Sequence, residues 1–237
     1  MRNSGNWTFA ASALLCGVVF GGTQSAMAQT VIQSSAASIE TAVQGISAVP
    51  PDGLFGTAAL AARLARFDDQ WTRAKQSALA DPALQRLVAP ARDMAREQQV
   101  AFVQSSVDRQ IRWESDATEW GQHDYWASAS ETLSHGAGDM KNRTILKMQA
   151  LLALGFSPDD LYLTLGRDPV GGPMALLAIR MAPGRYLTLD DLGGAPVPAE
   201  SRERFQPVLS FSETGSWLHA YQQMVRSQPP MAAQGGH

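Results

Sequence analysis

The sequence predicts an α+β domain in which helices pack on a short antiparallel sheet. Apolar residues recur at helical spacing in the first half of the chain, at Leu60, Leu64, Phe67 and Trp71 and again at Ile145, Met148 and Leu152. The period then changes. "LYLTLGR", "MALLAIR" and "RYLTLDD" are short aliphatic runs separated by Gly and Pro turns, as in antiparallel strands. Helices first and strands second is the order of an α+β chain.

The elements follow in order. Residues 1–28 read as an export signal: Arg2 supplies the positive start, "FAASALLCGVVFGG" the apolar stretch, and Ala26-Met27-Ala28 the small-x-small cleavage pattern. Export to a bacterial periplasm is the expected destination. Residues 29–56, rich in Ala, Ser and Gly and broken by "AVPPDG", are expected to form a flexible leader. The domain is expected over residues 57–226. Its first helix is assigned to "TAALAARLARFDDQWTRAKQSALA". Asp81-Pro82 then caps and opens a second, which Pro90 breaks. After an aromatic loop, Asp139 caps a helix through "MKNRTILKMQALLAL" that Gly155 ends. The three strands come next. "GSWLHAYQQMVRS" is expected to close the fold as a helix, and residues 227–237 to form a disordered tail.

Composition narrows the chemistry. Cys16 is the one cysteine in the chain and lies in the export signal. A processed protein therefore has no thiol, disulfide or thiolate metal site. The net charge of −3 gives no electrostatic reason to expect a nucleic-acid or anionic-membrane partner. The apolar stretch at the N-terminus is shorter than the ~20 residues a bilayer needs, so no membrane span is expected after cleavage. Gly171-Gly172-Pro173 reads as a turn before a strand rather than a phosphate loop, and no cofactor is expected.

"HDYWASASETLSHGAGDMKNRT", from His123 to Thr144, is the stretch with most to say about function. An aromatic run, small residues and a Gly-Ala-Gly turn lead into a helix start, the way many enzymes present a nucleophile. "WGQHDYWASASETLSHGAGD", "ILKMQALLALGF", "ALLAIR…YLTLDDL" and "PVLSFSETGSWLH" together resemble the bacterial transglutaminase-like cysteine peptidases, in the same order. The resemblance spans about residues 102–219 and implies a papain/transglutaminase-like fold. It also implies a Cys-His-Asp triad: a thiolate stabilised at a helix N-terminus, an imidazole relaying its proton, and a carboxylate orienting the ring. Matched position by position, the cysteine falls on Met140, the histidine on Met174 and the aspartate on Asp190. Family members can also bind calcium through acidic residues flanking the cysteine. Here Asp139 remains but Lys141 replaces the second carboxylate, so no metal site is expected.

The resemblance therefore implies a catalytically inactive homologue. Its former cleft, walled by Trp120, Tyr125 and Trp126 with Asp139, Met140, Met174 and Asp190 beneath, would bind a peptide, a protein such as a cell-surface adhesin, or an envelope polymer. The family's habits put such a partner in adhesion, biofilm or exopolysaccharide processes. Two other chemistries start from the residues alone. A hydrolase with relocated Ser/His chemistry would draw on His123, His135, Ser128, Ser130 and Ser134, although no G-x-S-x-G elbow presents a serine. A Cu(I) site would use the Met140 and Met174 thioethers. Lys141 and Arg143 read as a solvated basic face, and the glycosylation pattern at Asn142 as incidental.

Overall fold

A computed structural model describes residues 50–76, 79–168, 170 and 172–221. The export signal and the C-terminal tail lie outside the described residues. The chain folds as a mixed layer of helices on an antiparallel sheet, as the sequence predicts. The helices are α1 (Asp68–Ala74), α2 (Pro82–Val88), α3 (Arg96–Gln110), α4 (Asp116–Glu119), α5 (Ala129–His135) and α6 (Met140–Ala153). The large sheet contains β1 (Ala58–Ala61), β4 (Leu161–Asp168), β5 (Gly172–Ala182), β6 (Arg185–Leu189), β7 (Val197–Pro198), β8 (Gln206–Phe211) and β9 (Ser216–Ala220). Its order is β1-β9-β8-β4-β5-β6-β7, antiparallel throughout. A two-residue parallel pair, β2 (Arg112–Trp113) and β3 (Ala137–Gly138), ties the end of α3 to the approach to α6.

Helix boundaries follow local chemistry. Asp81 accepts from the backbone N–H groups of Ala83 and Leu84, and Pro82 occupies the first turn where its missing N–H costs nothing. Pro90 ends α2 in a short 3₁₀ turn, Ala89–Ala91. Asp139 caps α6 by accepting from Asn142 N–H at 2.8 Å, and Gly155, at φ 83°, follows the last turn.

Period-2 alternation fixes what each sheet face covers. Leu161, Leu163 and Leu165 of β4, Ala175, Leu177 and Ile179 of β5, and Phe211 of β8 join the main core beneath α6. Tyr162, Ala178, Tyr186 and Trp217 form a smaller cluster on the other face with Leu54 and Ala199. Helix α6 lies between that sheet and the other helices, and residues 141–152 are all buried. It carries no single inward stripe because it has no outward face beyond its first residue and last turn.

Three expectations change. The segment after Gly56 is first a strand: Leu60 stands on edge strand β1, exposed, and a 3₁₀ turn at Ala65–Phe67 leads into α1 at Asp68. The expected flexible leader is packed over residues 50–56, where Leu54 is fully buried and Arg180 donates to the Pro50 carbonyl. The described part of "GSWLHAYQQMVRS" is strand β9 rather than a helix. Ser212-Glu213-Thr214-Gly215 makes a tight turn, with Ser212 N–H donating to Gly215 C=O, and buried Trp217 alternates with exposed Leu218. The Ser-Glu-Thr-Gly turn was the local signal for a hairpin.

One glycine is required by close approach. A Cβ on Gly166 would stand 2.4 Å from the Gln206 carbonyl oxygen and 2.6 Å from the Phe205 ring, at the irregularity between β4 and β8. Gly166→Ala is expected to destabilise the domain by at least about 2 kcal/mol, read by chemical denaturation.

Candidate functional site

Helix α6 begins at the residue that the resemblance assigns to the nucleophile. Met140 is half-buried against the main core, and its Sδ accepts a hydrogen bond from the Ala175 backbone N–H at 2.9 Å. Met174, half-buried, is the preceding residue of β5. Helix start and strand start thus meet through a thioether and a main-chain amide. One of the two Sδ lone pairs is thus engaged by this amide.

Asp190 follows β6 and is held from several sides. Its backbone carbonyl accepts from Gln104 Nε2 of α3 and from Lys147 Nζ of α6. Its carboxylate accepts from Arg202 Nη2 at 2.5 Å and from Leu192 N–H at 2.9 Å. The side chain is therefore engaged by Arg202. Beside it, Asp108 of α3 receives both Arg143 Nη2 and Lys147 Nζ at 2.8 Å. Burial pushes the Asp191 carboxyl up, against the pull of Arg143, and pushes the Lys147 ammonium down, against Asp108.

Lys141 and Arg143 are buried rather than solvated. The Lys141 ammonium lies 3.2 Å from Asp116, 3.4 Å from Asp139 and 3.8 Å from Asp124, and it donates to the Tyr125 carbonyl at 2.6 Å and to Asn142 Oδ1 at 3.1 Å. It also stands 5.8 Å from the Trp126 ring centre. Burial pushes the Asp139 carboxyl up, with Lys141 opposing. Asn142, in the apparent glycosylation pattern, is fully buried and bridges Asp116 to the Ala127 amide.

The aromatic residues divide. Trp120 stacks on Tyr125 at 4.4 Å and on His135 at 4.3 Å, with Arg73 above Tyr125 at 4.4 Å. Both Trp120 and Tyr125 are half-buried. Trp126 is not a wall: it is fully buried among Phe67, Trp71 and Phe211, with Nε1 donating to Asp124. Large aromatic area is best used there, inside the core. His135 reaches Glu119 at 3.4 Å, and burial pushes that carboxyl up.

The serines of the loop have local duties. Ser128 forms a capping box with Glu131, Ser130 donates to Asp81 at 2.6 Å, and Ser134 donates to the Glu131 carbonyl. A Ser–His contact does occur, elsewhere. Ser210 Oγ lies 2.8 Å from His219 Nε2, and His219 Nδ1 lies 2.6 Å from Thr57 Oγ1. Thr57 donates its proton to the Leu54 carbonyl, so Nδ1–H donates to Thr57 and Nε2 accepts from Ser210; Ser210 in turn accepts from Thr164. This chain joins β4, β8, β9 and the turn before β1. Ser210 and Thr164 are fully buried and the third member is a hydroxyl, not a carboxylate, so the chain is a polar staple. Its signal in sequence was only the alternation of β8 and β9.

Residues 73–219 match the profile of the bacterial transglutaminase-like cysteine proteinases. Among solved structures, the chain is similar to LapG of Legionella pneumophila. One LapG structure and a second, calcium-bound one are each 28% identical, with TM-score 0.52, over 57% of this chain and 76% of that one. An EGTA-treated LapG structure is 25% identical, with TM-score 0.52, over 61% of this chain and 81% of that one. No curated protein matches at a significant level.

The staple sets a pH dependence. Burial lowers the His219 pKa to about 4, below its ordinary value of 6.5. Between those values the unfolded chain binds more protons, so this group's contribution to stability is full above pH 6.5 and is lost as pH falls towards 4. Relative to His219→Gln, the native chain is expected to lose up to about 1.4 kcal/mol per pH unit across that window, measured by denaturation at pH 7 and pH 4.5.

Proposed function

Because the chain belongs to the bacterial transglutaminase-like cysteine proteinase family, we propose that it is an exported, non-hydrolytic member that holds an extended chain at the former catalytic cleft. The observation that carries this reading is the Met140 thioether at the start of α6, bonded to Ala175 beside Met174. Acyl transfer by this family's chemistry begins with thiolate attack and proton relay by a neighbouring imidazole. A thioether has no proton to lose, and a second methionine at the base position supplies no relay. The third position, Asp190, is paired with Arg202 and has no ring to orient.

The groups left at the site favour retention of a ligand. Trp120 and Tyr125, half-buried, and the exposed His135 ring form an aromatic platform, joined to the first turn of α6 through the Tyr125 carbonyl and Lys141. Aromatic faces and methionine adapt to irregular apolar surfaces. A polypeptide is the ligand class that the family's chemistry implies, with a cell-surface adhesin or exopolysaccharide machinery as the biological setting. Residues 1–28 support a periplasmic location. Among the described residues, no helix is long and apolar enough to cross a membrane.

Calorimetry of the processed protein with adhesin-linker peptides and with exopolysaccharide fragments is expected to give binding in one series and cleavage in neither. Silence in both, or turnover in either, overturns the reading. Trp120→Ala is expected to weaken such binding roughly 10-fold or more, since aromatic anchors carry much of an interface's energy. The paired change Met140→Cys with Met174→His is expected to restore detectable peptidase activity.

A further inference from the structure

The charged cluster at the start of α6 has the composition of a cation site, and the chain itself fills it. Three carboxylates (Asp116, Asp124, Asp139), one backbone carbonyl (Tyr125) and one amide oxygen (Asn142) converge on a single point, the Lys141 Nζ. All five are oxygens, the donor set of a hard divalent cation such as calcium. The Lys141 side chain is fully buried, so its ammonium is a fixed occupant and not a surface group in passing contact. A calcium ion therefore does not fit the residues present: the volume and charge it would take are already those of the ammonium.

The oxygens are also held from behind. Asp116 accepts from Asn142 Nδ2 at 2.9 Å and from Tyr125 N–H at 2.7 Å, and Asp139 accepts from Asn142 N–H at 2.8 Å. Asn142 Oδ1 accepts from Ala127 N–H at 2.9 Å. The cage thus links α4, the Asp124–Ala127 loop and the first turn of α6. The Asp116, Asp139 and Asn142 oxygens are positioned by main-chain and Asn142 side-chain donors, without the ammonium. Lys141 brings the ammonium that faces all three carboxylates.

We propose that the Lys141 ammonium is the resident cation of this cage, making the loop and the helix start independent of divalent cations, and that shortening or reversing this side chain turns the cage into a calcium-binding site. The geometry carries this inference whether or not the cleft binds a peptide.

Thermal unfolding of the native chain is expected to be the same in calcium as in EGTA. Lys141→Ala and Lys141→Glu are both expected to melt roughly 10 °C or more lower in EGTA, because an unpaired buried carboxylate cluster is strongly destabilising. Calcium is expected to raise the melting temperature of both variants, and more for Lys141→Glu, which adds a ligand. The proposal is overturned if calcium stabilises the native chain, if neither variant responds to it, or if both stay unfolded with calcium present.

Discussion

Helix α6 must bury six polar or charged residues, Lys141, Asn142, Arg143, Thr144, Lys147 and Gln149, and the four that lie nearest the candidate site, Lys141, Asn142, Arg143 and Lys147, draw their partners from the segments around it. Buried charges are costly unless paired and hydrogen-bonded. The chain meets that constraint with two carboxylate groups on opposite sides of the helix: Asp116, Asp124 and Asp139 around Lys141, and Asp108 with Asp191 around Arg143 and Lys147. These contacts tie α6 to α3, to α4 and to the loops around it, while its apolar residues pack on the sheet. At the same helix, Met140 meets Ala175 and Lys147 meets the Asp190 carbonyl.

The same constraint separates architecture from chemistry. Helix α6 is joined to the start of β5 by the Met140–Ala175 hydrogen bond and to the residue after β6 by the Lys147–Asp190 hydrogen bond. The reactive groups are a different matter. In the proposed reading Met140 and Met174 stand at the nucleophile and base positions, while Asp190 pairs with Arg202. Scaffold and catalysis depend on different atoms, so one can persist while the other changes.

Much of the frame was legible in sequence because it rests on local rules. Asp81-Pro82, Pro90, Asp139 and Gly155 are punctuation that acts through neighbouring backbone groups, and each marks a boundary in the structure. Strands β4, β5 and β6 were readable from alternation and turns. What was missed depends on distant partners. Lys141 and Arg143 read as solvated because, Asp139 apart, their carboxylates come from distant residues, 108, 116, 124 and 191. Trp126 read as a wall because the helix that covers it, α1, lies some fifty residues earlier. Strand β9 has helical spacing in its apolar residues, but pairing with β8 and β1 decides its conformation. The His219 staple joins residues 57, 164, 210 and 219, and no local pattern announces it.

A helix start without a nucleophile can be examined directly by intact-mass spectrometry of the processed protein after exposure to peptides carrying vinyl sulfone or fluorophosphonate groups. These reagents capture an activated thiolate or hydroxyl as a covalent adduct. The native chain is expected to keep its unmodified mass, and Met140→Cys with Met174→His to gain one vinyl sulfone adduct. A stoichiometric adduct on the native chain would contradict a cleft that retains ligands without reacting with them.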